Sequence, residues 1–129
     1  MKVFDSSTPF ILIARIKVKS GKVKEYLELA ANTDSSVQSS EPGMLHHTFD
    51  QDLEDSLCFT WSEVYRNDAA LLAHLGNPSV AKYLKEHAEL GEAFSVEVYG
   101  TIGDECTKAL LETGLPIKIF ATKCGYTRV

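Results

Sequence analysis

The chain has 129 residues and a formal net charge of −5, with 44% hydrophobic and 24% charged residues, a balance that fits one globular domain with its own core. The acidic surplus argues against a nucleic-acid partner, which needs clustered cations against phosphate. No run approaches the roughly 20 apolar residues of a membrane span.

The lysines near Lys17–Lys24 and at Lys82 and Lys85 alternate with acids or sit at turns, so they read as solvated faces. Cys58, Cys106 and Cys124 form no CxxC pair and have no histidine at zinc-finger spacing. A sparse, odd set of thiols fits a reducing compartment. Phe10–Ala14 is apolar but is cut by Arg15 and Lys17, which is no export signal. The expectation is a soluble, cytoplasmic protein.

Residues 1–9 read as a polar lead-in. Phe10–Lys19 predicts a strand with Phe10, Leu12, Ala14, Ile16 and Val18 on one face and Ile11, Ile13, Arg15 and Lys17 on the other. Apolar residues on both faces suggest a central strand covered on both sides. After Ser20-Gly21, a helix is expected from Lys22 to about Gln38, since Val23, Tyr26, Leu27, Ala30 and Ala31 repeat on one helical face. Pro42-Gly43 supplies a turn.

Met44–Gln51 and Leu57–Tyr65 are the next strands, joined by a hairpin through Asp52–Ser56. In the first of these, Leu45, His47 and Phe49 are expected inward and Met44, His46 and Thr48 outward. Asp68 is read as the N-cap of a helix over Ala69 to Leu75 or Gly76. Asn77-Pro78 restarts a helix over Ser79–Leu90, and Phe94–Ile102 is the fourth strand. The order is β-α-β-β-α-β, the ferredoxin-like α+β arrangement with a four-stranded antiparallel sheet. Its bare sheet face invites a second copy of the chain. Residues 10–102 form this unit. The extension 103–129 contains a short helix, Asp104–Glu112, and a strand, Ile117–Thr122, packing on the domain or on a partner.

His74 shares the inward stripe of its helix with Ala70 and Leu71, and an ordinary pKa of about 6.5 suits it to accept a proton or to sit packed against backbone. Glu63 shares a strand face with Phe59, Trp61 and Tyr65. A carboxylate among aromatics needs a partner, so Glu63 is either an acid/base group or the partner of Arg15, Arg66 or a backbone amide. Trp61 and Tyr65 read as core or as aromatic walls, and Arg15 as an anion partner or a salt-bridge residue. His47, His74 and Glu63 have no metal-ligand spacing, so no metal site is expected. No nucleophile triad, phosphate loop or dinucleotide fingerprint is present.

Lys19-Ser20-Gly21-Lys22, Glu41-Pro42-Gly43-Met44, Asp52-Leu53-Glu54-Asp55, Glu63-Val64-Tyr65 and Ala70-Leu71-x-x-His74-Leu75-x-x-Pro78, in that order, resemble the antibiotic biosynthesis monooxygenase domain over about Phe10–Ile102. The resemblance implies a ferredoxin-like monomer, a homodimer of the dimeric α+β barrel type, and a pocket between sheet and helices. It also implies oxygenation of small aromatic, quinol or polyketide-like substrates by O2 with no metal, flavin or haem cofactor. In such chemistry a deprotonated substrate passes an electron to dioxygen, and the radical pair recombines. On this resemblance His74 and Glu63 are the expected catalytic residues, and Trp61, Tyr65, His47 and Arg15 the expected substrate contacts. Ser79 stands where members often carry a second histidine. Ala14, His74 and Leu84 replace the signature residues of the haem-degrading branch. Two other readings stay open: a non-catalytic barrel binding a small apolar ligand, and an isomerase or decarboxylase on the same scaffold.

Overall fold

A computed structural model describes residues 4–5 and 7–129; part of the expected lead-in, residues 1–3 and 6, lies outside them. In chain order the elements are β1 (Phe10–Val18), α1 (Val23–Ser40), β2 (Met44–Gln51), β3 (Cys58–Tyr65), α2 (Asp68–Leu75), α3 (Pro78–Leu90), β4 (Gly91–Tyr99), α4 (Asp104–Glu112) and β5 (Ile117–Phe120). The strands form one sheet in the order β2-β3-β1-β4-β5. The first four pair antiparallel, as the ferredoxin-like order requires. The sheet has five strands rather than four because β5, from the extension, pairs parallel with β4.

The alternation of β1 sets the two faces. Phe10, Leu12, Ala14, Ile16 and Val18 are buried in the core together with Tyr26, Ala30, Phe59, Trp61, Tyr65, Leu71 and Tyr83 from the flanking elements. The β1–β3 register sets Leu12 opposite Glu63 and Ala14 opposite Trp61, so those side chains share the helix-covered face. The second face is less covered within the chain than the sequence suggests: Ile11 remains 43% and Tyr99 37% exposed.

α1 runs to Ser40, beyond the expected end near Gln38. Its polar second half stays helical because the buried stripe of Tyr26, Ala30, Thr33 and Val37 continues through it, and Pro42 then biases Glu41 out of helical geometry. β4 lies three residues earlier than Phe94–Ile102. Pairing with β1 stops at Tyr99, opposite Ile11, and Gly100 then lies against Phe10, where a Cβ would fall 2.4 Å from that of Phe10. Asn67, not Asp68, caps α2, its Oδ1 accepting from the Ala70 amide at 3.0 Å. Asn and Asp cap about equally well, and Asp68 is held instead by the Gly103 amide, 2.8 Å from its Oδ2.

A β-bulge between Met44 and His46 corrects the inward set of β2. It puts Met44 opposite Tyr65 and His47 opposite Glu63, so Met44 packs against the core where Leu45 was expected. The Glu-Pro-Gly turn before it is packed closely against α2. A Cβ on Gly43 would lie 2.6 Å from that of Ala70, a separation only glycine permits. No helix among the described residues is long and apolar enough to cross a membrane.

Candidate active site

A small cavity of about 60 Å³ lies between the sheet and the helices. β1 and β3 supply Leu12, Ala14, Trp61, Glu63 and Tyr65 to its wall, β2 supplies His47, and α2 and α3 supply Leu71, His74, Val80 and Tyr83. Leu110, Thr113, Leu115 and Ile117 of the extension close another side. The wall is mainly apolar, with its polar groups drawn from a few side chains, the usual design of a small-molecule site.

His74 is buried by its place on the inward stripe of α2. Its Nδ1 lies 2.9 and 3.1 Å from the two carboxylate oxygens of Glu41. Glu41 is itself buried, 6% exposed, and its Oε2 also accepts from Asn77 Nδ2 at 2.7 Å. A carboxylate can only accept, so the imidazole proton sits on Nδ1 and Nε2 carries the lone pair. Among the described residues Asp68 Oδ1 is the only buried side-chain nitrogen or oxygen without a partner. His74 Nε2, which has none either, is therefore reachable by a small molecule, and the cavity is what His74 borders.

Glu63 answers the need of a carboxylate among aromatics. Tyr65 donates to its Oε1 at 2.6 Å, and His47 Nε2 stands 3.5 Å from its Oε2. His47 Nδ1 pairs in turn with Asp34 Oδ1 at 2.8 Å, and its ring stacks on Trp61 with centroids 4.4 Å apart. Burial alone would lower the pKa of His47, but the bonded, charged carboxylates of Glu63 and Asp34 outweigh it and raise it. Burial would likewise raise Glu63, yet the bond to His47, the neighbouring His74 whenever that ring is protonated, and the Tyr65 hydroxyl hold it below the ordinary carboxylate range. Burial and the Glu63 charge push the Tyr65 phenol far up. Both shifts favour the charged forms of this buried pair, His47 and Glu63, beside a neutral tyrosine.

His74, Glu63, His47, Trp61 and Tyr65 are thus gathered around one cavity, but Arg15 is not among them. It projects from the opposite face of β1, its side chain 58% exposed, with Nε 3.0 Å from Glu97 Oε1. Odd-numbered residues of β1 cannot reach the cavity, which corrects the expectation of a substrate contact. Glu41 was read only as part of a turn. A carboxylate 33 residues before its histidine has no periodic signature, and only the fold makes it a partner. Asp34 and Tyr83 were also passed over. Tyr83 was the more legible, since Val80, Tyr83 and His87 are the buried residues of α3 at helical spacing. Ser79, in place of a second histidine, bonds through its hydroxyl to Ser36 Oγ at 2.6 Å.

The family model for the antibiotic biosynthesis monooxygenase domain matches residues 9–86. The chain belongs to the antibiotic biosynthesis monooxygenase family. It is 32% identical over 82 residues, 64% of its length, to the uncharacterised protein sll1783 of Synechocystis, and it spans 55% of that curated relative. Two solved structures share its fold. MupZ from Pseudomonas fluorescens superposes with a TM-score of 0.74 at 18% identity, covering 94% of this chain and 95% of its own. PA3566 from Pseudomonas aeruginosa superposes at 0.66 with 24% identity, covering 76% and 98%. The match to the monooxygenase model ends before α4 and β5, although both contribute to the cavity wall.

Proposed function

We propose that the protein is a cofactor-independent monooxygenase that oxidises a small phenol or quinol with O2. The observation that carries the reading is the His74–Glu41 pair, which leaves His74 Nε2 without a protein partner on the wall of a mainly apolar cavity. Membership of the monooxygenase family supports it.

His74 Nε2 takes the hydroxyl proton of the substrate, and Glu41 stabilises the imidazolium that forms. Trp61 and Tyr65 bound the ring, and the apolar wall keeps water from the phenolate. The phenolate transfers one electron to O2, and the aryloxyl radical and superoxide combine to form a C–O bond. His74 returns its proton to the peroxide. Loss of water from the hydroperoxide, with cleavage of the C–H and O–O bonds, gives the quinone. The sum is phenol plus O2 to quinone plus water. Glu63, with both oxygens engaged, positions Tyr65 and His47 and does not itself exchange a proton with substrate.

Oxygen uptake by metal-free protein with hydroquinones and anthrones is the test. His74→Ala is expected to abolish uptake while circular dichroism remains that of the folded chain. Turnover without oxygen consumption would favour an isomerase or decarboxylase, and binding without turnover a ligand-binding barrel.

A further inference from the structure

A second polar line leaves the cavity at the other end of α1. Trp61 Nε1, beside His47, donates to the Tyr83 hydroxyl at 2.9 Å. That hydroxyl is closely hydrogen-bonded to the Tyr26 hydroxyl, which lies 2.7 Å from His87 Nδ1. Tyr26 is wholly buried and Tyr83 borders the cavity. Tyr26 precedes Glu41 by a helix length of roughly 22 Å, so this line and the His74–Glu41 pair serve different ends of the site.

We infer that Tyr83 is a second proton-handling residue of the cavity, supplied from solvent through His87 and Tyr26, and that it protonates the oxygen leaving the substrate hydroperoxide. The inference rests on the oxygenase reading above.

The chain of donors supports transfer in that sense. The indole N–H can only donate, which fixes one lone pair of Tyr83, whereas each tyrosine hydroxyl both donates and accepts. With His87 Nδ1–H donating to Tyr26 and Tyr26 to Tyr83, the Tyr83 proton is committed to neither partner, and Tyr83 lines the cavity. After one transfer the Tyr83–Tyr26 and Tyr26–His87 bonds reverse while the indole bond keeps its sense, and the two hydroxyls and the imidazole tautomer turn back before the next turnover. Burial pushes both phenols well above their ordinary range, so they pass protons without standing ionised. The outer end is open. His87 Nε2 has no partner, yet it is not among the buried polar atoms lacking one, so water reaches it. The ring lies against the backbone of Gly91, where a Cβ would fall 2.1 Å from His87 Cε1, and edge-on to Phe94. Glu25 and Glu28 of α1 and Lys82 and Glu86 of α3 line the adjoining groove beside Tyr83.

The reaction has a place for this proton. When the hydroperoxide eliminates water, His74 Nε2 takes the C–H proton and the C–H pair becomes the new carbonyl bond. The O–O bond breaks with its pair on the leaving oxygen, which takes the Tyr83 proton to become water. Tyr26 reprotonates Tyr83, His87 reprotonates Tyr26, and solvent reprotonates His87. His74 releases its proton as product departs, so the cycle closes with no net proton.

Two measurements test this. In oxygen uptake, Tyr26→Phe and Gly91→Ala are expected to lower kcat about tenfold or more, to leave KM within about twofold, and to enlarge the solvent deuterium isotope effect. Unchanged kcat and isotope effect in folded Tyr26→Phe would overturn the relay. The second measurement needs no variant: the ring ¹⁵N shifts of His74 and His87 on adding phenol. Both rings are expected to respond in the wild type. A response at His74 alone overturns the relay and leaves the oxygenase reading standing. Silence at both, with no oxygen uptake, overturns the oxygenase reading and the relay with it.

Discussion

A histidine whose Nδ1 faces a buried carboxylate has its proton fixed on that side, so Glu41 decides which nitrogen of His74 is basic. Glu41→Gln removes that charge and lets an amide donate to Nδ1, favouring the wrong tautomer. Turnover in the oxygen-uptake assay is expected to fall by about a hundredfold. The His47–Glu63 pair predicts a pH dependence of stability. His47, held above its ordinary 6.5, adds stability that is complete below pH 6.5 and is lost as pH rises through its folded value. Glu63, held below 4.5, adds stability complete above pH 4.5 and lost as pH falls through its folded value. The pair therefore contributes most between those two values. His87, lowered by burial, acts the other way and loses stability as pH falls below 6.5, but it is common to wild type and a His47 variant. The urea midpoint of His47→Gln is expected to fall furthest below wild type near about pH 5.5 and to approach it in alkali. Single residues were the least legible scale of the sequence. Faces could be read, so His74, Glu63, Trp61 and Tyr65 were found, but Glu41 and Asp34 become partners only when distant segments meet.

Elements were legible wherever one periodicity ruled. β1 and β3 alternate cleanly, and α3 carries a capping Asn77 and Pro78 at its first position, so their limits follow from local chemistry. The errors fell where a partner decided the outcome. β4 ends opposite Ile11, one residue short of the start of β1, and β2 bulges so that both Met44 and His47 face the core. Gly43 belongs to this scale, because its missing side chain is what seats the turn after α1 against α2. Gly43→Ala is expected to cost about 1–3 kcal/mol in chemical denaturation, since the clash is with the Ala70 Cβ and backbone and not with a flexible chain end. Leu110 joins α4 to the core at 2% exposure. Its replacement by alanine is expected to cost about 2–5 kcal/mol by the same measurement.

For the whole molecule, the partly exposed second sheet face is the leading feature. Ile11, Tyr99 and Phe120 remain exposed on or beside it, next to the Arg15–Glu97 pair. A second copy laid across this face would complete the dimeric barrel that the sequence resemblance implies. Sedimentation at micromolar concentration is expected to give a dimer, and Ile11→Glu a monomer that still folds. The extension has a different consequence. His74 and Glu41 lie within residues 9–86, the stretch shared with the family, whereas Leu110, Thr113, Leu115 and Ile117 shape the cavity from outside it. Part of the cavity's outline is therefore written in a length of chain separate from the His74–Glu41 pair. Exchange or redesign of the last 27 residues, 103–129, is a route to a new cavity outline that leaves the His74–Glu41 pair in place.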